Sequence, residues 1–253
     1  MIPQNILLIK ELTWSDFKVR YSGSMLGILW SFLKPAFILI TLYTVFSLIL
    51  KINIEHYALF LLLSLILWTF FSEATGMSMG NILEKRPIIK NLCFPKDVLI
   101  ISACINSFMT MIINLIIFFV IFFIVGLKIS ILFLLVFIAL ILMLLVFTIG
   151  VSYILCSYHT KYYDLMHIWD VFLQIGFFIT PVIYSIEIIP KKYLSMYLLN
   201  PLANIIIGAR NSALYAQYPE GIAILITIML SVLVLITGYI LFKHRSKYLA
   251  EEL

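Results

Sequence analysis

Val98–Leu127 reads VLIISACINSFMTMIINLIIFFVIFFIVGL, and after one lysine, Lys128, Ile129–Tyr158 reads ISILFLLVFIALILMLLVFTIGVSYILCSY. Neither run contains Asp, Glu, Lys or Arg. A helix crosses the hydrocarbon of a bilayer with about 20 predominantly apolar residues. Each run is therefore long enough to span, and Lys128 marks the turn between them. The rest of the chain has the same character. Of 253 residues, 64% are apolar, 15% are aromatic and only 11% are charged, against roughly 25% charged in a soluble domain. A water-soluble exterior cannot be built from so few charges. Disorder, a nucleic-acid-binding domain, a collagen-like chain and a disulfide scaffold are excluded, leaving an all-α integral membrane protein. Cys93, Cys104 and Cys156 are odd in number and far apart, and read as reduced packing residues.

Gaps between charges give the other spans. Residues 29–50 hold only Lys34, near the start, where a long side chain reaches the headgroups. Residues 57–83 hold only Glu73, residues 165–186 only Asp170, and residues 221–242 no charge. With 98–127 and 129–158 these make six transmembrane helices, and no large soluble domain fits beside them. Residues 4–22 mix Lys10, Glu11, Asp16, Lys18 and Arg20 with apolar positions, as an interfacial helix does, although Asp16 falls on the same side as Ile9. Residues 186–218 are too apolar for a solvated loop, yet Pro190 and the Asn200-Pro201 pair break them. They read as one or two short re-entrant helices. Six spans put both termini on one side. If that side is cytoplasmic, the inner segments carry twelve of the seventeen basic residues and the outer ones five: Lys51, Lys128, Lys191, Lys192 and Arg210. The positive-inside rule therefore places both termini in the cytoplasm.

No GxxxxGK[ST], HExxH or GxGxxG occurs in the chain. His159, Asp164, His167 and Asp170 form the densest polar cluster, read either as a metal site or as a polar turn feeding the fifth span. Glu73, an ionisable residue within a span, marks a functional position or a polar packing contact beside Gly76 and Gly80. Residues 84–97 are basic, carry a proline near each end, and present Ile88, Ile89, Leu92 and Phe94 as a short apolar surface. That surface suits a groove on a partner protein or lipid contact by a basic loop. Many aromatics are belt residues at the headgroups. A glycan channel would turn some inward, because sugar rings pack their C–H faces on aromatic rings. Tyr43, Phe46, Phe177 and Phe178 are the candidate lining.

The stretch Asp16-Phe17-Lys18-Val19-Arg20-Tyr21, then Ser24 to Trp30 with Leu26-Gly27, then Pro35, resembles the opening of type-2 ABC exporter permeases that move polysaccharides. Phe94-Pro95-Lys96-Asp97 is similar to their motif after the second span. Thr180-Pro181-Val182-Ile183-Tyr184, Ile189-Pro190 and Asn200-Pro201-Leu202 resemble their later signature. The resemblance implies a dimer on two copies of a separate ABC ATPase that binds the ATP and Mg, with no cofactor in this chain. It implies that Glu84, Arg86, Pro87, Ile88, Ile89, Leu92, Phe94 and Pro95 form the ATPase-coupling segment. Trp14, Lys18, Arg20, Tyr21 and Trp30 would line the cytoplasmic entrance. Pro181, Tyr184, Pro190, Asn200 and Pro201 would belong to an outer gate. The implied cargo is a lipid-linked polysaccharide crossing the bacterial cytoplasmic membrane. O-antigen is favoured by the short chain without a tail after Leu253; capsule and teichoic acid are the near alternatives. One departure is Tyr163-Asp164, where the family often has Arg-Asp, so an ion pair made by that arginine is in question. Other classes remain in view. An integral membrane glycosyl- or acyltransferase would draw on the His159–Asp170 cluster, and a channel or secondary transporter would show mid-span charges and internal repeats.

Overall fold

The computed structural model describes residues 4–22, 27–51, 53–87 and 94–246. Helix α1 (Gln4–Tyr21) precedes α2 (Trp30–Tyr43), whose last turns widen over Thr44–Ile49. Then follow α3 (Tyr57–Glu84), α4 (Asp97–Ile124), α5 (Ile131–His159), α6 (Leu165–Ile179), α7 (Lys191–Leu198), α8 (Pro201–Leu214) and α9 (Gly221–Arg245). No strand occurs among the described residues. Among the described residues five helices are long and apolar enough to cross a membrane: α2 with its extension, α3, α4, α5 and α9.

The sixth expected span is shorter than the 165–186 read from the charge gap. Helix α6 stops at Ile179 after 15 residues, about 22 Å at 1.5 Å per residue, against a hydrocarbon core of roughly 30 Å. Pro181 supplies the reason. A residue before proline is pushed out of the helical region, and Thr180 is extended at ψ 137°. The expected short helices after it are present as α7 and α8. Asn200 starts α8, its side-chain oxygen accepting from the backbone N–H groups of Leu202 and Ala203 at 3.1 and 3.4 Å, with Pro201 in the first turn.

The passes alternate in direction. One end of the bundle gathers α1, the 84–97 segment and the end of α9, where Lys96 Nζ donates to the Ser246 carbonyl. The opposite end gathers the α2–α3 turn and residues 180–218, where the Tyr57 hydroxyl donates to the Ile183 carbonyl and Tyr215 to that of Glu55. Helix α1 and the end of α9 therefore lie at the same end.

Lipid tails are as apolar as leucine, so helices in a membrane are joined by close packing and polar contacts rather than by a hydrophobic drive. Both devices are visible. Helices α5 and α9 meet backbone to backbone. A Cβ on Gly238 would fall on the Gly150 carbonyl oxygen, and one on Gly150 would lie 2.7 Å from the Leu235 nitrogen. Helix α3 is enclosed along most of its length, and Ser64, Thr75 and Ser78 return their hydroxyls to carbonyls four residues back. From α4, Asn106 donates to the Thr13 carbonyl of α1 and Asn114 to the Ser31 carbonyl of α2, at 3.4 and 3.3 Å. Helices α2 and α6 lie outside this core: only Pro35 of α2 is buried, and no residue of α6 is.

Candidate functional site

Between α2 and α6, with α3 as floor, the surface sinks into two joined depressions, and a third lies beyond the end of α6. The first, 560 Å³, is lined by Arg20, Gly27, Trp30, Ser31, Lys34, Phe37, Ile38 and Glu73. The second, 630 Å³, shares Lys34, Ile38 and Glu73 and adds Leu65, Trp68, Thr69, Ser72, Asp170, Leu173, Gln174, Phe177 and Phe178. The third, 570 Å³, begins at Ile179 and continues over Tyr184, Ile188, Ile189, Pro190, Tyr193, Tyr197 and Asn200. Together they follow α6 from the Arg20–Glu73 pair to the residues beyond its C-terminal end, and we refer to them as the tract. It is a trough rather than a tube: Trp30, Phe37 and Phe178 on its walls are half or more exposed.

Arg20 and Glu73 close the first section from opposite sides. Arg20 Nη2 donates to Glu73 Oε2 at 2.6 Å, and Nη1 lies 3.3 Å from Met77 Sδ. The charge inside the third helix is therefore paired. A second link runs parallel to it: Asp16 Oδ2 accepts from Lys85 Nζ at 2.5 Å and from Asn81 Nδ2 at 3.2 Å. Asp16, misplaced on an apolar wheel, is explained by these partners. Its poor fit to the amphipathic pattern was the sequence signal for a tertiary contact. Trp14 and Lys18, assigned to the same entrance, stay on the outside of α1: Trp14 stacks on Phe17, and Lys18 Nζ sits 5.6 Å from the Trp14 ring centre. The side chain of Tyr21 lies outside the described residues.

In the middle section the Trp68 ring meets Phe177 edge-on at 5.7 Å. A Cβ on Gly176 would come within 3.1 Å of that indole, so glycine is what lets the ring lie against α6. Trp169 Nε1 donates to Thr75 Oγ1 at 2.9 Å and fixes the start of α6 on α3. Of the expected lining residues, Phe177 and Phe178 are here. Tyr43 and Phe46 are not among the residues lining these depressions: Tyr43 leans on Tyr57 at 6.2 Å, and both pack against the core. Trp68, Tyr193 and Tyr197 do line the tract and went unselected, because spacing along one helix does not show which ring faces a neighbouring one.

At the far section the Tyr184 hydroxyl donates to the Ile179 carbonyl at 2.8 Å and meets the Tyr197 hydroxyl at 3.1 Å. Pro181, Tyr184, Pro190, Asn200 and Pro201 all fall at this end. Arg210, counted from sequence among the outer basic residues, is 2% exposed. Its Nη1 donates to the Pro181 carbonyl at 2.7 Å and to Ser64 Oγ at 3.2 Å, and its guanidinium lies 3.9 Å from the Phe60 ring centre. Burial pulls its pKa down to about 9, with Tyr215, Tyr184 and Tyr57 opposing, which leaves it charged at neutral pH. It clamps the end of α6 to α3.

Of the coupling residues, Ile88, Ile89 and Leu92 lie outside the described residues. Glu84 and Pro87 are exposed, Phe94 packs on the core, and Pro95 accepts from the Val98 N–H at 3.2 Å. Arg86 stands 5.1 Å over the Tyr163 ring, so the tyrosine at the departure position holds an arginine by its face. The His159–Asp170 cluster separates: His159 is buried at the end of α5 with its ring against Tyr163, while Asp170 lines the tract. Among the described residues no three His, Cys, Asp or Glu side chains are placed to hold a metal.

Several relatives share the sequence across most of this architecture. An O-antigen export system permease protein RfbA of Klebsiella pneumoniae is 27% identical over 204 residues, 81% of this chain and 79% of that one. An RfbA of Myxococcus xanthus is 26% identical over 248 residues, 97% and 95% of the two chains. A polysialic acid transport protein KpsM of Escherichia coli is 22% identical over 242 residues, 94% and 93%. Residues 8–214, from α1 through α8, match the profile described as ABC-2 type transporter. This multi-pass membrane chain belongs to the ABC-2 type transporter family.

Proposed function

We propose that the chain is the membrane permease of an ATP-driven exporter that threads a lipid-linked polysaccharide of the O-antigen class outward across the bacterial cytoplasmic membrane. The carrying observation is the tract. It runs from the Arg20–Glu73 pair to the far end of the bundle, and its lining combines aromatic rings and aliphatic side chains with neutral polar groups and the charges of Arg20, Lys34, Glu73 and Asp170. A polymer tens of sugars long must be threaded, since no pocket in a chain of 253 residues encloses it. Aromatic faces suit threading because they hold sugar rings without fixing one register. The trough becomes a conduit when a second copy covers it, and the unburied helices α2 and α6 are the faces available for that. Both termini are cytoplasmic in this reading, the 84–97 segment seats on a separate ATPase that binds ATP and Mg, and residues 186–218 gate the outer mouth.

Replacing Ile88, Ile89 or Leu92 with Asp tests the assignment. A charge placed in a packed apolar contact has no partner, so the ATPase should no longer co-purify. Export should stop, and polymer should accumulate inside on its lipid carrier while the permease still inserts. Normal export with the ATPase retained would make the loop a lipid contact.

A further inference from the structure

We infer that the tract is built for a glycan without charge and excludes polyanionic polymers. The inference rests on the exporter reading and narrows its cargo.

Among the described residues, the formal charges lining the tract sum to zero. Arg20 is matched by Glu73 at 2.6 Å. Lys34 and Asp170 both line the middle section and offset each other. The far section has no charged residue among its described lining residues, and Lys192 beside it stands over the Tyr193 ring, 5.9 Å from its centre. A second copy repeats the same set and leaves the sum at zero. The remaining described polar lining includes Ser31, Thr69, Ser72, Gln174, Asn200 and the tyrosine hydroxyls, groups that both donate and accept. That is the complement of sugar hydroxyls.

A polymer with a carboxylate or phosphate in each repeat makes a different demand. Within a hydrocarbon thickness of roughly 30 Å it holds several anions at once. Each must leave water beside walls whose described cations, Arg20 and Lys34, are equalled in number by the carboxylates of Glu73 and Asp170, and desolvating an unpaired charge is costly. Pores for anions are lined with Arg or Lys. The far end adds to the bias. Two depressions behind residues 184–190 expose carboxylates, Glu55 and Glu187 in one and Glu187 and Glu220 in the other. The cation there, Arg210, is engaged by the Pro181 carbonyl and Phe60.

The test uses the permease reconstituted in vesicles with its own ATPase and its own lipid-linked polymer. Half of that polymer has its primary hydroxyls oxidised to carboxylates, which keeps length, linkage and carrier the same. The unmodified polymer should cross at least about tenfold faster, equivalent to 1.4 kcal/mol in the barrier. Thr69→Lys, which adds one cation per copy to the lining, should narrow the gap. Equal rates for the two polymers would overturn the charge inference while the exporter reading stands. So would finding a charged group in every repeat of the native polymer. Failure of both polymers to cross, with the ATPase bound and hydrolysing, would overturn the exporter reading and this inference with it.

Discussion

Glu73 and Arg20 show how one ion pair settles what a lone carboxylate in an apolar helix is for. Their side chains are 19% and 27% exposed, so solvent screens the pair in part. A double-mutant cycle with Arg20→Gln and Glu73→Gln, read by thermal unfolding of the purified protein, should give a coupling of about 1 kcal/mol, the upper range for such pairs. Strict additivity would mean that the pair holds α1 to α3 no better than water does. Glycine gives a sharper contrast. Gly238→Ala should destabilise by about 2 kcal/mol, because its methyl meets the Gly150 carbonyl and neither backbone can yield without parting α5 from α9. Gly76→Ala and Gly80→Ala meet nothing within the chain and should leave the unfolding temperature of the monomer unchanged or higher. From sequence the Gly76–Gly80 spacing permits close helix packing; among the described residues the closest backbone approach is at Gly150 and Gly238. Spacing identifies where a helix could be approached, and only the partner helix decides where it is.

At the scale of elements, the long helices were legible because lipid leaves a plain trace in sequence. Charges end each run, and α3, α4, α5 and α9 begin and end within a few residues of the charge gaps. The end of α6 was less legible, since Val171–Ile186 stays uncharged through Pro181 and hydropathy does not register a backbone stop. What hydropathy also hides is the clamp that makes this stop rigid. Arg210 reaches from α8 to the carbonyl of Pro181, a contact between residues far apart in the chain. Arg210→Met keeps the bulk and removes both hydrogen bonds. It should cost about 2 kcal/mol, the range for bonds to a charged group, and should speed proteolysis within residues 180–190. Unchanged unfolding and cleavage would show that the arginine is a bystander. The link from Asp16 to Lys85 is of the same kind. It ties α1 to the start of the segment proposed for coupling, and the same helix carries Arg20 into the tract's first section.

For the molecule as a whole, composition disclosed the membrane, and the motifs disclosed the family, but neither could show a surface made by three helices. The tract exists because α3 is enclosed while α2 and α6 stand apart from the core, leaving a floor and two walls. Of its aromatic candidates, Phe177 and Phe178 sit in the wall, Phe177 also packing on the core, and Tyr43 and Phe46 pack on the core outside these depressions; rotation about a helix axis, which sets where each ring lies, is not written in hydropathy. The central claim is that the polymer travels along this trough. Its most direct test places a photo-crosslinking residue at Gln174 in the middle section, at Tyr193 in the far section, or at Ile236, an exposed position of α9 away from the tract. Irradiation during active export should attach glycan at Gln174 and Tyr193, only while ATP is being hydrolysed, and should give lipid adducts alone at Ile236. Glycan captured equally at Ile236, or none at Gln174 while polymer is reaching the outside, would contradict the account.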